Sequence, residues 1–384
     1  MEKTLPVMIY LDHAATSWPK PEEVSRESLR VLTGLTANAG RSGYEASVAS
    51  ARMVSQVRQR LAELLGVGHP ENLVFVRGCT EGLNLVLKGF LKPGQHVAVS
   101  PLEHNALWRP LSRLQRQLPL HVQTLPADPL GRIDLEAARR VAAARRFDLV
   151  AVAHASNVNG VVQDLAGLRQ VFADTPLLVD AAQTAGVLPI SIESAKIDFL
   201  TCSVHKGLLG PTGLGVCYLA PQHDVAPLIE GSTGSFSDSL EQPAFRPDRY
   251  EAGTLNLHGI AGTYGALLGV KQRGLLGSET RRLTRRLVEG LQAMGGVSVY
   301  SPADGTALCT SFNVDGLLPD EVATRLEQKN AVSCRPGLQC APAAHRHLQT
   351  FPLGTVRFSP GWGTTEEMVD VALRGVAEIA HSVV

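Results

Sequence analysis

The chain has 384 residues, 44% of them hydrophobic and 19% charged, and its 36 basic and 36 acidic side chains leave a formal net charge of +0. This length is enough for two domains, and the balanced charge lacks the basic footprint that favours nucleic acid or an anionic membrane, so neither is expected as a partner. No apolar run is long enough to span a bilayer or to serve as a signal-peptide core, and the scattered cysteines (Cys79, Cys202, Cys217, Cys309, Cys334, Cys340) form no CxxC pair and fit no zinc template, so a cytoplasmic protein with free thiols and no bound metal is expected.

Residues 46–65 predict an amphipathic helix, with Val48, Ala51, Val54, Val57, Leu61 and Leu64 near helical spacing and Gly66 as its C-cap. Strands are predicted at Leu73–Val76, His96–Val99, Asp148–Ala153, Pro176–Val179, Asp198–Thr201 and Gly215–Leu219. They are continuous rather than alternating apolar runs, mostly separated by helix-length segments. That pattern suits strands buried on both faces of a mainly parallel sheet in an α/β fold. Two arginine clusters, Arg139, Arg140, Arg145 and Arg146, then Arg281, Arg282, Arg285 and Arg286, fall in amphipathic helical surroundings and read as solvated faces. Past Gly259 the texture changes: helices over 260–295, strands at Leu308–Val314, around Val332–Arg335 and around Thr355–Phe358, and helices at Pro319–Gln328 and Thr365–Ala380. The expected organisation is a large α/β domain over 15–260 and a smaller α+β domain made of 1–14 and 261–384.

Distinctive polar residues collect just after the predicted strands: Thr80, Glu103 and His104, Asn157, Asp180 and Gln183, then Ser203, His205 and Lys206. In an open α/β sheet, ligands sit beyond the carboxyl ends of the strands. Lys206, one of only eight lysines against twenty-eight arginines, stands between a buried strand and a glycine-rich stretch. It either snorkels to solvent or forms a Schiff base with a carbonyl cofactor. A pyridoxal phosphate site needs such a lysine, an acid for the pyridine nitrogen, a group on the ring face and an anion site. Asp180 suits the acid, though an aspartate there also caps helices. Thr80 suits a phosphate at a helix N-terminus, or is a plain N-cap. His104 suits the ring face and proton transfer, or is an ordinary loop histidine. Asn157 and Gln183 suit the phenolic oxygen of the cofactor, and Ser203 and His205 add donors for the phosphate.

The segments YLDHAAT (10–16), TEG (80–82), EHNA (103–106), SNVNG (156–160), VDAAQ (179–183), SVHK (203–206), GPTGLG (210–215) and EAGTLN (251–256) together resemble the class V aminotransferase family of fold-type I pyridoxal phosphate enzymes, and within it the cysteine desulfurases. The resemblance implies that Lys206 carries the cofactor, Asp180 pairs with its ring nitrogen, His104 stacks on the ring, Asn157 and Gln183 contact its oxygen, and Thr80, Ser203 and His205 hold the phosphate. It also implies a homodimer in which Thr254 reaches the phosphate of the partner subunit. SCRPGLQCAPAAH (333–345) resembles the desulfurase active-site loop, making Cys340 the nucleophile unless it is a buried structural thiol. Arg357 matches the arginine that clamps the substrate carboxylate, and Arg335 matches a second position near the site. Cys334 reads as structural.

The implied reaction takes L-cysteine to alanine. Lys206 moves the α-proton, Cys340 attacks the substrate sulfur as a thiolate, and a persulfide remains on Cys340, with His104 or His345 as the expected aid to the thiol. Cys340 and Arg357 lie only 17 positions apart, a compact loop that resembles the desulfurases needing a sulfur-acceptor protein, as in iron–sulfur cluster assembly. RSGYEAS (41–47) and GSTGSFS (231–237) depart from the family pattern, which bears on acceptor and substrate detail. The rival readings are a selenocysteine lyase or another lyase or transaminase on the same fold, and a non-catalytic scaffold.

Overall fold

A computed structural model describes residues 8–34 and 36–382; residues 1–7, assigned above to the smaller domain, lie outside the described residues. In chain order the elements are β1 (Ile9–Tyr10), α1 (Glu22–Thr33), α2 (Glu45–Leu65), β2 (Leu73–Val76), α3 (Cys79–Phe90), β3 (His96–Val99), α4 (Asn105–Gln117), β4 (His121–Thr124), α5 (Leu135–Ala144), β5 (Leu149–Ala153), α6 (Leu165–Val171), β6 (Leu177–Asp180), β7 (Phe199–Ser203) and β8 (Gly215–Leu219). They continue with α7 (Leu257–Arg273), α8 (Gly277–Gln292), β9 (Val297–Val299), β10 (Thr310–Val314), α9 (Pro319–Asn330), β11 (Val332–Ser333), α10 (Pro342–His347), β12 (Val356–Phe358) and α11 (Glu366–His381). All six strands expected between 73 and 219 form. Gly66 ends α2 with φ +65°, a left-handed turn that a side chain would strain.

The central sheet has seven strands in the order β2-β8-β7-β6-β5-β3-β4. Within it β8 runs antiparallel to both neighbours, while β3 to β7 pair in parallel. Side chains alternate across a strand. Thus Phe75, Ala98, Val150, Val152, Val179 and Leu200 face one core with Val57 and Leu61 of α2 and Ile260 and Leu267 of α7. Val74, Val97, Val99, Ala151, Leu178 and Phe199 face the other, with Leu83 of α3 and Leu107 and Leu111 of α4. Burial on both faces is why these strands read as unbroken apolar runs. The strand β4, HVQT, was not expected. It lies at the sheet edge with three of its four residues exposed, so it carries no apolar signal.

A three-stranded antiparallel sheet, β12-β10-β9, packs with α8, α9 and α11 around Phe312, Phe358, Leu287, Leu326 and Val376. Ile9 and Leu11 enter this same core, and β1 pairs in parallel with β11. The chain from Leu11 to Lys20 then crosses toward the carboxyl edge of the central sheet, where it meets His205 and Gln183. Among the described residues, no helix is long and apolar enough to cross a membrane.

Candidate active site

The carboxyl edge of the central sheet gathers most of the expected residues into one cleft. Thr80, His104, Asn157, Asp180, Gln183, Ser203, His205 and Lys206 all line it. The sheet register explains the convergence: Ala153, Asp180 and Thr201 lie side by side on β5, β6 and β7. Thr254 lies apart from this cleft. It is exposed and accepts a hydrogen bond from Asn38 at 3.4 Å.

Asp180 Oδ1 accepts from the Ala182 amide at 2.9 Å and from the Cys79 thiol at 3.1 Å. Among the described residues no donor reaches its Oδ2, so one oxygen is spent on the local turn and the other remains for a ligand. Burial lowers the pKa of Lys206, against the pull of Asp180. No protein acceptor binds its amine among the described residues. A carboxylate oxygen without a donor and an amine without an acceptor, facing one cleft, fit a ring that carries a basic nitrogen and an aldehyde. The phosphate end fits as well. Thr80 sits in the first turn of α3, where helix amides face an anion, and Ser203 Oγ accepts from the Cys79 amide at 2.9 Å, pinning that helix start to β7. His205 completes that end; burial first, then Lys206, lower its pKa to about 4.

His104 is the N-cap of α4, and its Nδ1 accepts from the Ala106 amide at 3.0 Å. That bond leaves the proton of the neutral ring on Nε2. Burial holds the His104 pKa near 4, so at neutral pH the ring is uncharged and offers an N–H donor rather than a base. Behind it, Glu103 is fully buried. Its Oε1 accepts from Ser100 Oγ and from the Ala153 amide at 2.8 Å, while Oε2 has no partner. Burial raises the Glu103 pKa to about 8.

Cys340 is exposed, unlike the buried Cys79, Cys202, Cys217 and Cys309. It lines a second cleft with Lys88, Arg109 and Arg113, and this cleft shares Thr80, His104 and Ala106 with the first. Gln339 and Cys340 both have left-handed backbone angles, φ +40° and +59°, which the surroundings must enforce. Gln339 is buried: its Nε2 donates to Thr355 O at 2.7 Å and Arg335 O at 3.2 Å, and its own carbonyl accepts from Asn157 Nδ2 at 2.7 Å. Asn157 therefore spans the Lys206 cleft and the cysteine loop. The Cys340 carbonyl accepts from the Asn105 amide at 2.8 Å.

His345, expected as an aid to the thiol, has a different part. Its Nε2 bonds Gln339 Oε1 at 2.8 Å and its Nδ1 bonds Thr350 Oγ1 at 2.7 Å, and it is fully buried. Both ring nitrogens are occupied, so it supports the loop and offers no proton acceptor to Cys340. Arg335 instead points Nη2 at Cys340 Sγ, 3.5 Å away. Burial pushes the Cys334 thiol up to about 12, which fits its structural reading.

Arg357 is 1% exposed. Its Nη1 donates to Asn157 O at 2.7 Å, its Nη2 pairs with Asp12, and its Nε is buried without a partner. Arg357, expected to clamp a substrate carboxylate, thus already holds an internal one. Arg335 forms backbone bonds with Arg357 and, among the described residues, pairs with no carboxylate. Asp12 and Gln339 were not singled out from sequence. Asp12 belongs to the YLDHAAT segment, the signal from which its role was available.

The family model for aminotransferase class-V matches residues 9–371. The chain belongs to this family. It is similar to a probable cysteine desulfurase of Pyrococcus abyssi, 31% identical, with 98% of this chain and 95% of that one covered. It is also 31% identical to a cysteine desulfurase of Klebsiella pneumoniae, covering 97% of this chain and 93% of the relative. Among solved structures it resembles the apo form of the cysteine desulfurase from Thermococcus onnurineus NA1, with a TM-score of 0.91, 31% identity, and 98% and 95% of the two chains covered.

Proposed function

We propose that the chain is a cytoplasmic, pyridoxal phosphate-dependent cysteine desulfurase, which converts L-cysteine to L-alanine and takes the sulfur as a persulfide on Cys340. The observation that carries this reading is the placement of Cys340. It is an exposed thiol, held by a buried hydrogen-bond network on a strained loop, in a cleft that meets the Lys206 cleft at Thr80 and His104. A transaminase or a scaffold needs no thiol at that point.

Bound pyridoxal phosphate supplies an electron sink that labilises the α-proton and the bond to sulfur. Burial disfavours the charged form of the Lys206 amine, which suits the group that holds the cofactor and later takes the α-proton. The free Oδ2 of Asp180 holds the proton on the ring nitrogen. His104 covers the ring and presents Nε2–H. Thr80, Ser203 and His205 receive the phosphate, with Thr254 of a second copy of the chain completing that end. Gln183 donates to Ala14 O at 3.0 Å, and its second amide proton is left for the phenolic oxygen together with Asn157. Arg335 takes the substrate carboxylate, and Arg357, whose Nη1 donates to Asn157 O and whose Nη2 pairs with Asp12, would join it on exchanging the Asp12 carboxylate for that of the substrate. Cys340, with Arg335 Nη2 3.5 Å from its sulfur, attacks the substrate sulfur. The carbon–sulfur bond breaks with its electrons going to carbon, the β-carbon gains a proton, Lys206 returns the α-proton, and alanine leaves.

Two surface features support the expected partners. Lys88, Arg109 and Arg113 make the mouth around Cys340 cationic, which suits an acceptor protein with an acidic docking face. Leu29, Leu32, Phe236 and Leu240 are exposed apolar side chains of the kind a homodimer would cover. The test is turnover of L-cysteine and of L-selenocysteine by wild type and Cys340→Ala, with alanine measured. Loss of cysteine turnover in the variant is expected. Turnover of selenocysteine alone would make the enzyme a selenocysteine lyase, and full cysteine turnover by the variant would defeat the proposal.

A further inference from the structure

The carbonyl of His205, the peptide oxygen immediately before Lys206, is gripped from the N-terminal segment. It accepts from the Ser17 amide at 3.0 Å, Ser17 Oγ at 2.9 Å and Lys20 Nζ at 2.8 Å, and Thr16 Oγ1 lies 3.2 Å away. A carbonyl oxygen has two lone pairs, so this is a dense concentration of donors on one acceptor. Lys20 ties the group together, because its amine also donates to Ser17 Oγ at 2.7 Å. Thr16 Oγ1 is in addition 3.0 Å from His205 Nδ1.

Three features set Lys20 apart from an ordinary surface lysine. Its amine is partly buried, and burial lowers its pKa to about 8. Among the described residues it pairs with no carboxylate, although a desolvated ammonium normally finds one. Lys20 also does not line the cleft that Lys206 lines. What it touches is the backbone that carries Lys206. A charge-assisted hydrogen bond is about twice as strong as a neutral one, which explains a lysine where Ser17 already supplies neutral donors.

We propose that Lys20 is a positioning residue for Lys206: with Thr16 and Ser17 it clamps the His205 carbonyl and so fixes the start of the turn from which the Lys206 side chain enters the cofactor cleft. The role assigned to Lys206 rests on the proposed function, while the clamp itself is a property of the chain. The same segment fastens the other side of the site, since Asp12 pairs with Arg357 and Ala14 O accepts from Gln183 at 3.0 Å. Residues 12–20 therefore link the lysine, the carboxylate clamp and the cofactor-facing glutamine in one continuous strap.

The test compares wild type, Lys20→Met and Lys20→Arg as full chains. Amide hydrogen exchange is first followed without added cofactor. Exchange across residues 203–210 is expected to rise about tenfold in Lys20→Met, the effect of one lost hydrogen bond to a charged group. Exchange in β5 should not change, and Lys20→Arg should stay within about twofold of wild type at both places. Pyridoxal phosphate is then added and the pH midpoint of the visible absorption band is titrated, expecting a shift in Lys20→Met that Lys20→Arg restores. Wild-type exchange at 203–210 in Lys20→Met would overturn the proposal. So would equal acceleration in β5, which would make Lys20 a general stabiliser. A wild-type chain that develops no band would contradict the cofactor reading, and the exchange result would still decide the clamp.

Discussion

Gln339 offers a sharp test of how the cysteine loop is held. Its side chain donates to Thr355 O and Arg335 O and accepts from His345 Nε2. Gln339→Ala removes these bonds, along with a longer one from Thr355 Oγ1 at 3.5 Å, and leaves the buried His345 ring without a partner on one side. At about 1 kcal/mol net per bond, the ordered loop loses roughly 2–3 kcal/mol. The strained angles at 339 and 340 then have less to enforce them. If the reactive geometry of Cys340 is the ordered loop, this corresponds to a drop of roughly 30- to 150-fold in alanine formation. Cofactor loading should persist, since Gln339 does not line the Lys206 cleft. The assay measures alanine release with cysteine in excess, alongside the cofactor absorption band. Alanine formation within about threefold of wild type, well short of the fold-change expected for this free energy, would refute the claim that this network sets the position of the nucleophile.

Three further outcomes follow from the structure. Arg58 makes a two-pronged ion pair with Glu251 at 2.7 and 2.8 Å, both largely buried, so Arg58→Ala should cost about 3–5 kcal/mol by stranding the carboxylate. Arg58→Met with Glu251→Gln should be markedly less destabilised in urea unfolding, and an equal loss in both would contradict the assignment. Burial holds His13, His104, His154, His205 and His345 near pKa 4. Between there and the free histidine value of about 6.5 the unfolded chain binds more protons, so this stability is present above pH 6.5 and lost as pH falls toward 4. Glu103, raised to about 8, acts in the opposite sense, with its contribution full below its unfolded value and lost as pH rises through 8. Five groups against one predict a urea midpoint that falls from pH 6.5 to pH 4, and a flat profile would contradict this. Lys206→Ala should leave no cofactor fixed to the chain by borohydride, and label retained on another lysine would displace Lys206 from its role.

The fold was legible where burial leaves a mark on the sequence. β2, β5, β6, β7 and β8 are covered on both faces and so appear as unbroken apolar runs. β4 escaped because an edge strand needs no apolar face, and β1 because its two residues are ordered by pairing with β11 far along the chain. The side chains that line the Lys206 cleft were legible because they fall at successive strand ends in one chain region. What the sequence hid is contact between distant segments. Asp12 occupies Arg357, Asn157 holds the carbonyl of Gln339, and the Cys79 thiol bonds Asp180. His345 was misread for the same reason: five residues from Cys340, it looks available until Gln339 and Thr350 are seen to take both of its nitrogens.

The central claim is that Cys340 receives the sulfur. It is tested most directly by mass spectrometry of the cofactor-loaded chain after a single turnover of L-cysteine, without reductant or acceptor. The peptide containing Cys340 should gain one sulfur atom for each alanine released, with Cys79, Cys202, Cys217, Cys309 and Cys334 unmodified. Alanine released in full while Cys340 stays unmodified would contradict the account.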